Sequence, residues 1–436
     1  MCNGSIMDKL VSFALPLMLS GILQLMFNAV DIIVVGRFSG SEALAAVGST
    51  TALINVFTNL FIGISLGANV LAARFFAAGR KEEMSETVHT SITLALISGI
   101  LMAFVGLVFS KGALELMGTP EDVIGLSTLY MRIYFMGMPF FMLYNYGAAI
   151  LRAVGDTKRP LYFLIIAGVI NAGLNMVLVI VFGLGVAGVG IATVFSQFVS
   201  GVGIGLYTLK QFPELCPRRE DCKWDKHNLG TILNLSVMTS VQQSIMNFGI
   251  LMVQGLVNSF GTVIMAAFAA AVKIDSFAYM PVQDFGNAFS TYVAQNYGAN
   301  QPERIRKGIR SAAATSAVFC ICISVLVCLF AAPLIQIFMD PSQTGIVAAG
   351  VHYLHIEGAC YLGIGMLFLL YGYYRAVNQP GMSVILTIAS LGTRVALAYL
   401  LSATPLGGTG IWLSVPIGWA LADAIGIGYY LKTKTA

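Results

Sequence analysis

Long apolar stretches alternate with short polar or glycine- and proline-rich breaks along almost all 436 residues of the chain. Each stretch has about 20 residues or more, the length that an α-helix needs to cross the roughly 30 Å hydrocarbon core of a bilayer. Lipid offers no partner to backbone N–H and C=O groups, so these stretches must be helical. The pattern predicts an all-α polytopic membrane protein with twelve spans, at 13–36, 43–73, 88–109, 124–148, 160–182, 186–209, 232–257, 262–294, 309–331, 348–374, 381–402 and 409–431.

The composition favours the same interpretation. Only 10% of the residues are charged and 57% are hydrophobic, whereas about 25% of a soluble domain is charged. The first apolar run continues as a full span, so we expect no cleavable signal peptide. Cys216 and Cys222 are a lone pair in a predicted loop, and without a second pair we expect no structural metal site.

The basic residues of the loops are strongly segregated. Nineteen Lys and Arg residues fall on one side of the predicted membrane and two, Arg37 and Lys111, on the other. The basic side is expected to be cytoplasmic. This places both termini in the cytoplasm and predicts a multi-pass protein of a bacterial-type plasma (inner) membrane.

The chain also repeats itself. Residues 73–82 align with 294–303 at an offset of 221, Gly40 aligns with Gly261, and residues 152–154 align with 375–377 at an offset of 223. One repeat spans six helices, so the halves share one orientation and should enclose a cavity. We predict an N-lobe (1–210), a cytoplasmic loop (211–230) and a C-lobe (231–436). A duplicated scaffold without transport is the alternative, which polar residues at membrane depth disfavour.

Ionisable side chains inside spans are costly and are candidate functional groups. In the first span Gln24, Asn28 and Asp31 share one helix face at i, i+4 and i+7. A carboxyl group shielded from water can bind and release a proton, or hold a cation. Pro16 removes a helix hydrogen bond and predicts a bend point. A satisfied interhelical hydrogen bond is the alternative for Asp31.

The fifth and sixth spans add polar candidates. Asn171 and Asn175 lie one turn apart and can coordinate a cation, orient an acid or join helices. Thr193 is a weaker candidate, because a threonine in a transmembrane helix usually bonds to its own backbone.

The second half carries more ionisable residues, and some of them can serve as a second cation site. Tyr353 and Glu357 lie one turn apart in the tenth span, and neither they nor the adjacent histidines form a zinc motif. In the eighth span a proline is a second bend point. The acids of this span are expected to pair with Arg394, and the alternative to a functional role is an ion pair that only holds the helices together. These eighth-span residues are Lys273, Asp275, Pro281 and Asp284; Arg132 and Asp423 are the other ionisable residues within spans.

Other classes of protein fit less well. The chain has no Gly-x-x-x-x-Gly-Lys-Ser/Thr loop, so an ion gradient or the substrate's own gradient must drive transport. Its four histidines lie in loops or near helix ends, so we expect no enzyme, and no cofactor besides H⁺ or Na⁺. A receptor is equally disfavoured. The expected partners are a small organic substrate and the bilayer, with no nucleic acid, and a monomer is expected.

The motifs resemble the multidrug and toxic compound extrusion (MATE) family over nearly the whole chain. The resemblance rests on Pro16…Gln24…Asp31 and on four segments, at 42–47, 151–160, 185–193 and 295–299. It implies a V-shaped, twelve-helix antiporter that exports organic, often cationic and aromatic compounds in exchange for H⁺ or Na⁺.

By that resemblance Asp31 is the coupling acid, Pro16 is the hinge, and Gln24, Asn171 and Thr193 are polar neighbours of Asp31. Asn175 stands where many members have a second Asp. Glu357, with Tyr353 before it, resembles the C-lobe cation site of another branch, whose acid on the seventh helix has no counterpart here. The alternative function is a flippase for a lipid-linked precursor, with Arg132 or Arg394 binding acidic head groups.

Overall fold

The computed structural model describes residues 1–116, 118–213, 226–338 and 340–434, so Cys216 and Cys222 lie outside the described residues. Within these ranges every regular element is a helix. The α-helices are α1 (Ile6–Phe38), α2 (Gly40–Ala77), α3 (Lys81–Leu116), α4 (Glu121–Met136), α5 (Met138–Ala153), α6 (Lys158–Asn175), α7 (Gly185–Gln211), α8 (Lys226–Asn258), α9 (Thr262–Gly298), α10 (Pro302–Leu329), α11 (Ala331–Gln336), α12 (Thr344–Glu357), α13 (Tyr361–Ala376), α14 (Pro380–Ser402) and α15 (Gly408–Lys434).

The prediction of a polytopic all-α membrane protein is confirmed. Ten helical segments of the described chain are long and apolar enough to cross a membrane. The two other predicted spans correspond to α8, whose middle is rich in polar residues, and to the pair α4 and α5. The last two are separate helices because Gly137 interrupts them, and Pro139 just after it has no backbone N–H to continue the ladder. The short α11 was not predicted as a separate helix.

The chain folds into two compact units. Unit 1 contains Met1–Met18 and Val241–Ala436, and unit 2 contains Leu19–Ser240. Helices α1 and α8 therefore each contribute residues to both units, so the units do not follow the central loop. The predicted lobe boundaries at 210 and 231 stay a prediction.

The backbone carries the repeat that the sequence predicts. Left-handed φ angles occur at Gly40 (87°) and Gly261 (93°), which lie 221 residues apart. They also occur at Gly79 (70°) and Asn300 (52°), again 221 apart, and at Gly155 (97°) and Asn378 (67°), 223 apart. Glycine and asparagine tolerate this region best, so each half turns between helices at matching places.

Each unit has its own apolar core, and glycines let its helices approach closely. In unit 2 a Cβ atom at Gly99 of α3 would lie 2.5 Å from Cα of Pro139 in α5. In unit 1 a Cβ atom at Gly372 of α13 would lie 2.5 Å from the carbonyl oxygen of Gly286 in α9. Close backbone packing of this kind is the usual way that membrane helices associate.

Candidate functional site

Asp31 of α1 lies against the carboxyl end of α6. Its Oδ1 accepts a hydrogen bond from Nδ2 of Asn175. Asn175 is fully buried and Asp31 is half-buried. The two residues are 144 positions apart in sequence, so this contact joins the first helix to the sixth and holds an acidic group inside unit 2.

The hydrogen bonds continue through the polar residues predicted from the sequence. Nδ2 of Asn175 also donates to Oδ1 of Asn171 at 3.1 Å, and Nδ2 of Asn171 donates to Oγ1 of Thr193 at 3.4 Å. The Thr193 hydroxyl in turn donates to the Val189 carbonyl oxygen at 3.0 Å. The structure therefore brings four predicted residues from α1, α6 and α7 into one chain of hydrogen bonds.

This chain of bonds leaves one acceptor unused. Oδ1 of Asn175 is buried and has no hydrogen-bond partner among the described residues. A buried acceptor without a partner costs about 1–3 kcal/mol. The atom lies in the same amide group that donates to Asp31. It can therefore accept a hydrogen bond from a protonated group, or coordinate a cation that the Asp31 carboxylate holds.

The backbone at Asn175 is irregular. The α-helix ends there and continues as a π-helix over Met176–Val181. Single π turns inside helices are rare and are frequent at functional sites. The wider turn begins directly after the residue that contacts Asp31.

A close helix contact sets the position of Asp31. A Cβ atom at Gly168 would lie only 1.9 Å from Cζ of Phe27. Phe27 lies one turn before Asp31 on α1, and Gly168 lies one to two turns before the paired asparagines on α6. The missing side chain of Gly168 therefore lets α1 approach α6 closely enough for the carboxylate to reach the amide.

Gln24 and the proline of α1 lie outside the bonded chain. Gln24 is exposed, and no hydrogen bond among the described residues joins it to Asp31. Pro16 lies inside a helix that is continuous from Ile6 to Phe38, two residues before the position at which α1 passes from unit 1 to unit 2.

A second cluster lies in unit 1. Asp275 of α9 is 5% exposed and accepts hydrogen bonds from two tyrosines: the Tyr353 hydroxyl at 2.6 Å from Oδ2, and the Tyr361 hydroxyl at Oδ1. Phe268 and Trp412 stack with centroids 5.5 Å apart, and Tyr353 packs edge-on against Trp412 at 4.9 Å. Aromatic side chains thus enclose a carboxyl group that has two hydroxyl donors.

This cluster borders a cavity of about 120 Å³ that is also lined by Glu357, Arg394 and Trp419. Glu357 is 5% exposed, and its Oε2 has no hydrogen-bond partner among the described residues. Nε of Arg394 likewise has none. The structure therefore brings Asp275, Tyr353, Glu357 and the expected basic partner Arg394 together, with unused polar atoms at the cavity.

The other residues predicted from the second half of the chain, and Arg132, do not line this cavity. Asp284 does not line the cavity, and Pro281 is buried inside the continuous helix α9. Lys273 is exposed, with its Nζ 5.9 Å from the centroid of the Phe338 ring. Arg132 is also exposed. Asp423 is half-buried, and its Oδ1 has no partner in the described part of the chain.

Sequence reasoning missed several tyrosines around these acids. Tyr361 follows Glu357 by four residues and Tyr353 by eight, a spacing that would have placed all three on one helix face. Tyr130 and Tyr134 of α4, also four apart, lie within electrostatic range of Asp31. The signal was the i, i+4 spacing of tyrosines near intramembrane acids.

No group of three or more His, Cys, Asp or Glu residues that could hold a metal ion occurs in the part of the chain that the structure describes. His352 and His355 are exposed, and their ring nitrogens pair with Oγ1 of Thr409 at 3.1 Å and with the Cys328 carbonyl oxygen at 3.0 Å.

Comparison with known proteins places this architecture in a family. The MatE family matches residues 16–177 and 236–400. "Probable multidrug resistance protein YoeA" of Bacillus subtilis is 31% identical over 98% of this chain and 94% of that protein. An "FAD transporter" of Shewanella oneidensis is 23% identical over 98% of this chain and 94% of its own.

The fold is also that of solved transporter structures. A transporter of the MOP superfamily from Pyrococcus furiosus superposes with a TM-score of 0.92 at 22% identity, covering 98% of this chain and 96% of that one. The matched regions include both helices that carry the Asp31 contact, as well as most of the second cluster. The chain belongs to the MatE family of multidrug and toxic compound extrusion transporters.

Proposed function

We propose that this protein is a cation-coupled antiporter that uses H⁺ or Na⁺ to export organic, cationic or aromatic compounds across the plasma membrane. The observation that carries the proposal is the half-buried Asp31 carboxylate bound to Asn175, with an unused amide oxygen beside it. A carboxyl group in this setting exchanges its ion without a permanent counter-ion. Both termini are proposed to lie in the cytoplasm, where the loops are basic.

The hydrogen-bonding groups of the site account for three occupancies: no ion, a proton or Na⁺. Without an ion, the Asp31 carboxylate accepts from Nδ2 of Asn175, as the structure has it. With a proton bound, the carboxyl group becomes a donor and Oδ1 of Asn175 becomes its acceptor. With Na⁺ bound, the same two oxygens are ligands. Each ion therefore satisfies a buried atom that otherwise has no partner.

Ion occupancy can change protein conformation only if the ion binds two conformers with different affinity. Asp31 lies on the part of α1 that belongs to unit 2, and Pro16 lies near the end of the part that belongs to unit 1. A proline inside a helix is a common bend point. A bend there would alter the direction of the helix that carries Asp31, and so couple ion release to substrate release.

The relatives support an organic substrate of some size. They include probable multidrug resistance proteins and a transporter of FAD, a large aromatic molecule. Organic cations would be attracted by the carboxylates of both clusters and by aromatic faces. The second cluster, with Asp275, Glu357 and Tyr353, is proposed as an additional cation site.

The experiment is substrate efflux from reconstituted vesicles, with H⁺ and Na⁺ gradients imposed separately. We expect Asp31→Asn to abolish gradient-driven transport, because the amide cannot gain or lose the ion. Glu357→Gln, a matched change in the other unit, should keep transport under at least one gradient. Gradient-driven transport by Asp31→Asn at the wild-type rate would refute the role of Asp31.

A further inference from the structure

Two neighbouring cavities occupy the basic end of unit 2. The first, of about 240 Å³, lies between α3, α5 and α7 and is lined almost entirely by apolar groups, such as Val88, Leu143 and Leu206. The second, of about 270 Å³, lies where α2 ends and α3 begins, and its lining includes Arg80 and Lys81. Neither cavity contains a residue of the Asp31 network.

The two cavities adjoin along two helices. On α3, Met84 lines the basic cavity and Val88, one turn later, lines the apolar one. On α7, Leu209 lines the apolar cavity and Gln211 lines the basic one. Their linings therefore follow one another along α3 and α7, with the two basic residues in one cavity and an apolar lining in the other.

Along α3 the two cavities together span the depth of a single leaflet. Lys81 lines the basic cavity, and Ser91, ten residues later, lines the apolar one. At 1.5 Å of rise per residue this is about 15 Å, half of the roughly 30 Å hydrocarbon core. Leu206 and Leu209 are exposed, so the cavity is open at α7.

One buried polar group points to a ligand in the apolar cavity. Tyr146 lines it, is 1% exposed, and its hydroxyl has no hydrogen-bond partner among the described residues. A buried hydroxyl normally finds a partner. An ester carbonyl oxygen of a lipid would accept its hydrogen bond, whereas a bare alkyl chain would not.

The rim of the basic cavity favours an anion. Arg80 pairs with Glu83 at 3.7 Å, but the Arg80 side chain is 62% exposed. An exposed ion pair is weak and is screened by solvent, so a phosphate can compete for the guanidinium group. The acids Glu82, Glu83 and Glu86 of α3 balance Arg74, Arg80 and Lys81 in number, but of these six residues only Arg80 and Lys81 line the cavity.

We propose that the paired cavities bind one anionic phospholipid from the leaflet at the basic end of the protein, its phosphate at Arg80 and Lys81 and an acyl chain between α3, α5 and α7. The basic rim matches a charged head group, and the unpartnered Tyr146 hydroxyl matches an ester. The depth of the two cavities along α3 matches an acyl chain that starts at the head group. The proposal concerns a resident lipid and is independent of the transport cycle.

The test uses the purified full-length protein in detergent, with bound lipid counted by native mass spectrometry and stability measured as Tm. We expect phosphatidylglycerol to remain bound and to raise the Tm by several degrees more than phosphatidylcholine does. Arg80→Ala combined with Lys81→Ala should reduce bound phosphatidylglycerol at least fivefold. So should Gly205→Leu, which adds a side chain to the lining of the apolar cavity, where a Cβ atom would make an ordinary contact with Cδ2 of Leu143 at 3.9 Å. The control pair, Arg306→Ala with Lys307→Ala, changes exposed basic residues of unit 1 and should leave binding unchanged.

Two further arms separate the possible ligands. Glycerol phosphate tests the head group alone and dioleoylglycerol tests the chains alone, and neither should match phosphatidylglycerol. Tyr146→Phe keeps the shape of the cavity and should weaken binding about threefold while the protein stays folded. Equal stabilisation by dioleoylglycerol or glycerol phosphate, or equal loss of binding in the control pair, would overturn the proposal.

Discussion

The contact between Gly168 and Phe27 offers a sharp test of how the Asp31 site is positioned. In Gly168→Ala the new Cβ atom would lie 1.9 Å from the Phe27 ring, whereas carbon atoms in contact are about 3.5–4.0 Å apart. Either the ring or α1 must therefore move by about 2 Å. A hydrogen bond does not survive a displacement of α1 by this distance, so a shift of α1 would separate Asp31 from Asn175.

The loss is large enough to measure. A hydrogen bond to a charged group contributes about 1.5–3 kcal/mol, and overpacking costs about 1–3 kcal/mol. We expect Gly168→Ala to lower the rate of gradient-driven efflux at least tenfold in reconstituted vesicles, and to lower the Tm by several degrees. Adding Phe27→Leu to Gly168→Ala should restore part of the efflux rate and part of the Tm, because the smaller side chain leaves room for the methyl group.

Gly173→Ala is the matched control. Gly173 lies on the same helix, α6, but a Cβ atom there would meet nothing within 4 Å. Both changes gain the same helix propensity, about 1 kcal/mol, so only the contact differs. If Gly168→Ala transports and melts like Gly173→Ala, the inference that this contact positions Asp31 is wrong.

Three other predictions concern stability and pH. Tyr361→Phe removes a donor to the buried Asp275 carboxylate and should lower the free energy of unfolding by about 1.5–3 kcal/mol, measured by unfolding in detergent. Gly261→Ala should cost about 1–2 kcal/mol, measured in the same way, because its φ is 93° although a Cβ atom would have open space. The backbone N–H of Ser342 donates to Asp340 and holds the pKa of that loop carboxyl below 3.8. This bond is complete above pH 3.8 and is lost as the pH falls through the lowered pKa, which the amide proton shift of Ser342 should report with a midpoint below 3.8.

Each of these predictions has a control within the chain. Tyr162→Phe removes the hydroxyl of an exposed tyrosine and should change stability little. Gly255→Ala lies inside α8 with nothing within 4 Å, and should stabilise by about 0.5–1 kcal/mol. Asp340→Asn should abolish the titration of the Ser342 amide. Equal changes in stability in a variant and its control would contradict the first two predictions. A midpoint above pH 3.8 for the titration of the Ser342 amide would contradict the third.

The architecture could be predicted because hydrophobic length is a property of the sequence itself. The interruptions could not: the break at Gly137 and the π turn after Asn175 depend on packing between helices. The repeat was visible in residue identities. Asn300 is the counterpart of Gly79 in the second repeat, and both have a left-handed φ angle, so the repeat extends to positions where the residues differ.

The polar site could be predicted in part. The i, i+4 pattern gave Asn171 and Asn175 as neighbours, and the cost of burial singled out Asp31. What joins them is the approach of α1 to α6, which depends on Gly168 and is not readable from local spacing. Similarly, Tyr361 donates to Asp275 across 86 residues of sequence, and no local pattern on α9 indicates that partner.

The first part of α1 belongs to unit 1, together with residues from the second half of the chain, and this has a consequence for biosynthesis. Val11 and Leu15 of α1 line a cavity with Phe285 and Phe319, residues made about 270 or more positions later. At roughly 5–20 residues per second, this part of α1 waits on the order of 10–60 seconds before these neighbours emerge. It therefore leaves the ribosome long before it can pack against them, and until then its apolar face must be sheltered by lipid or by the insertion machinery.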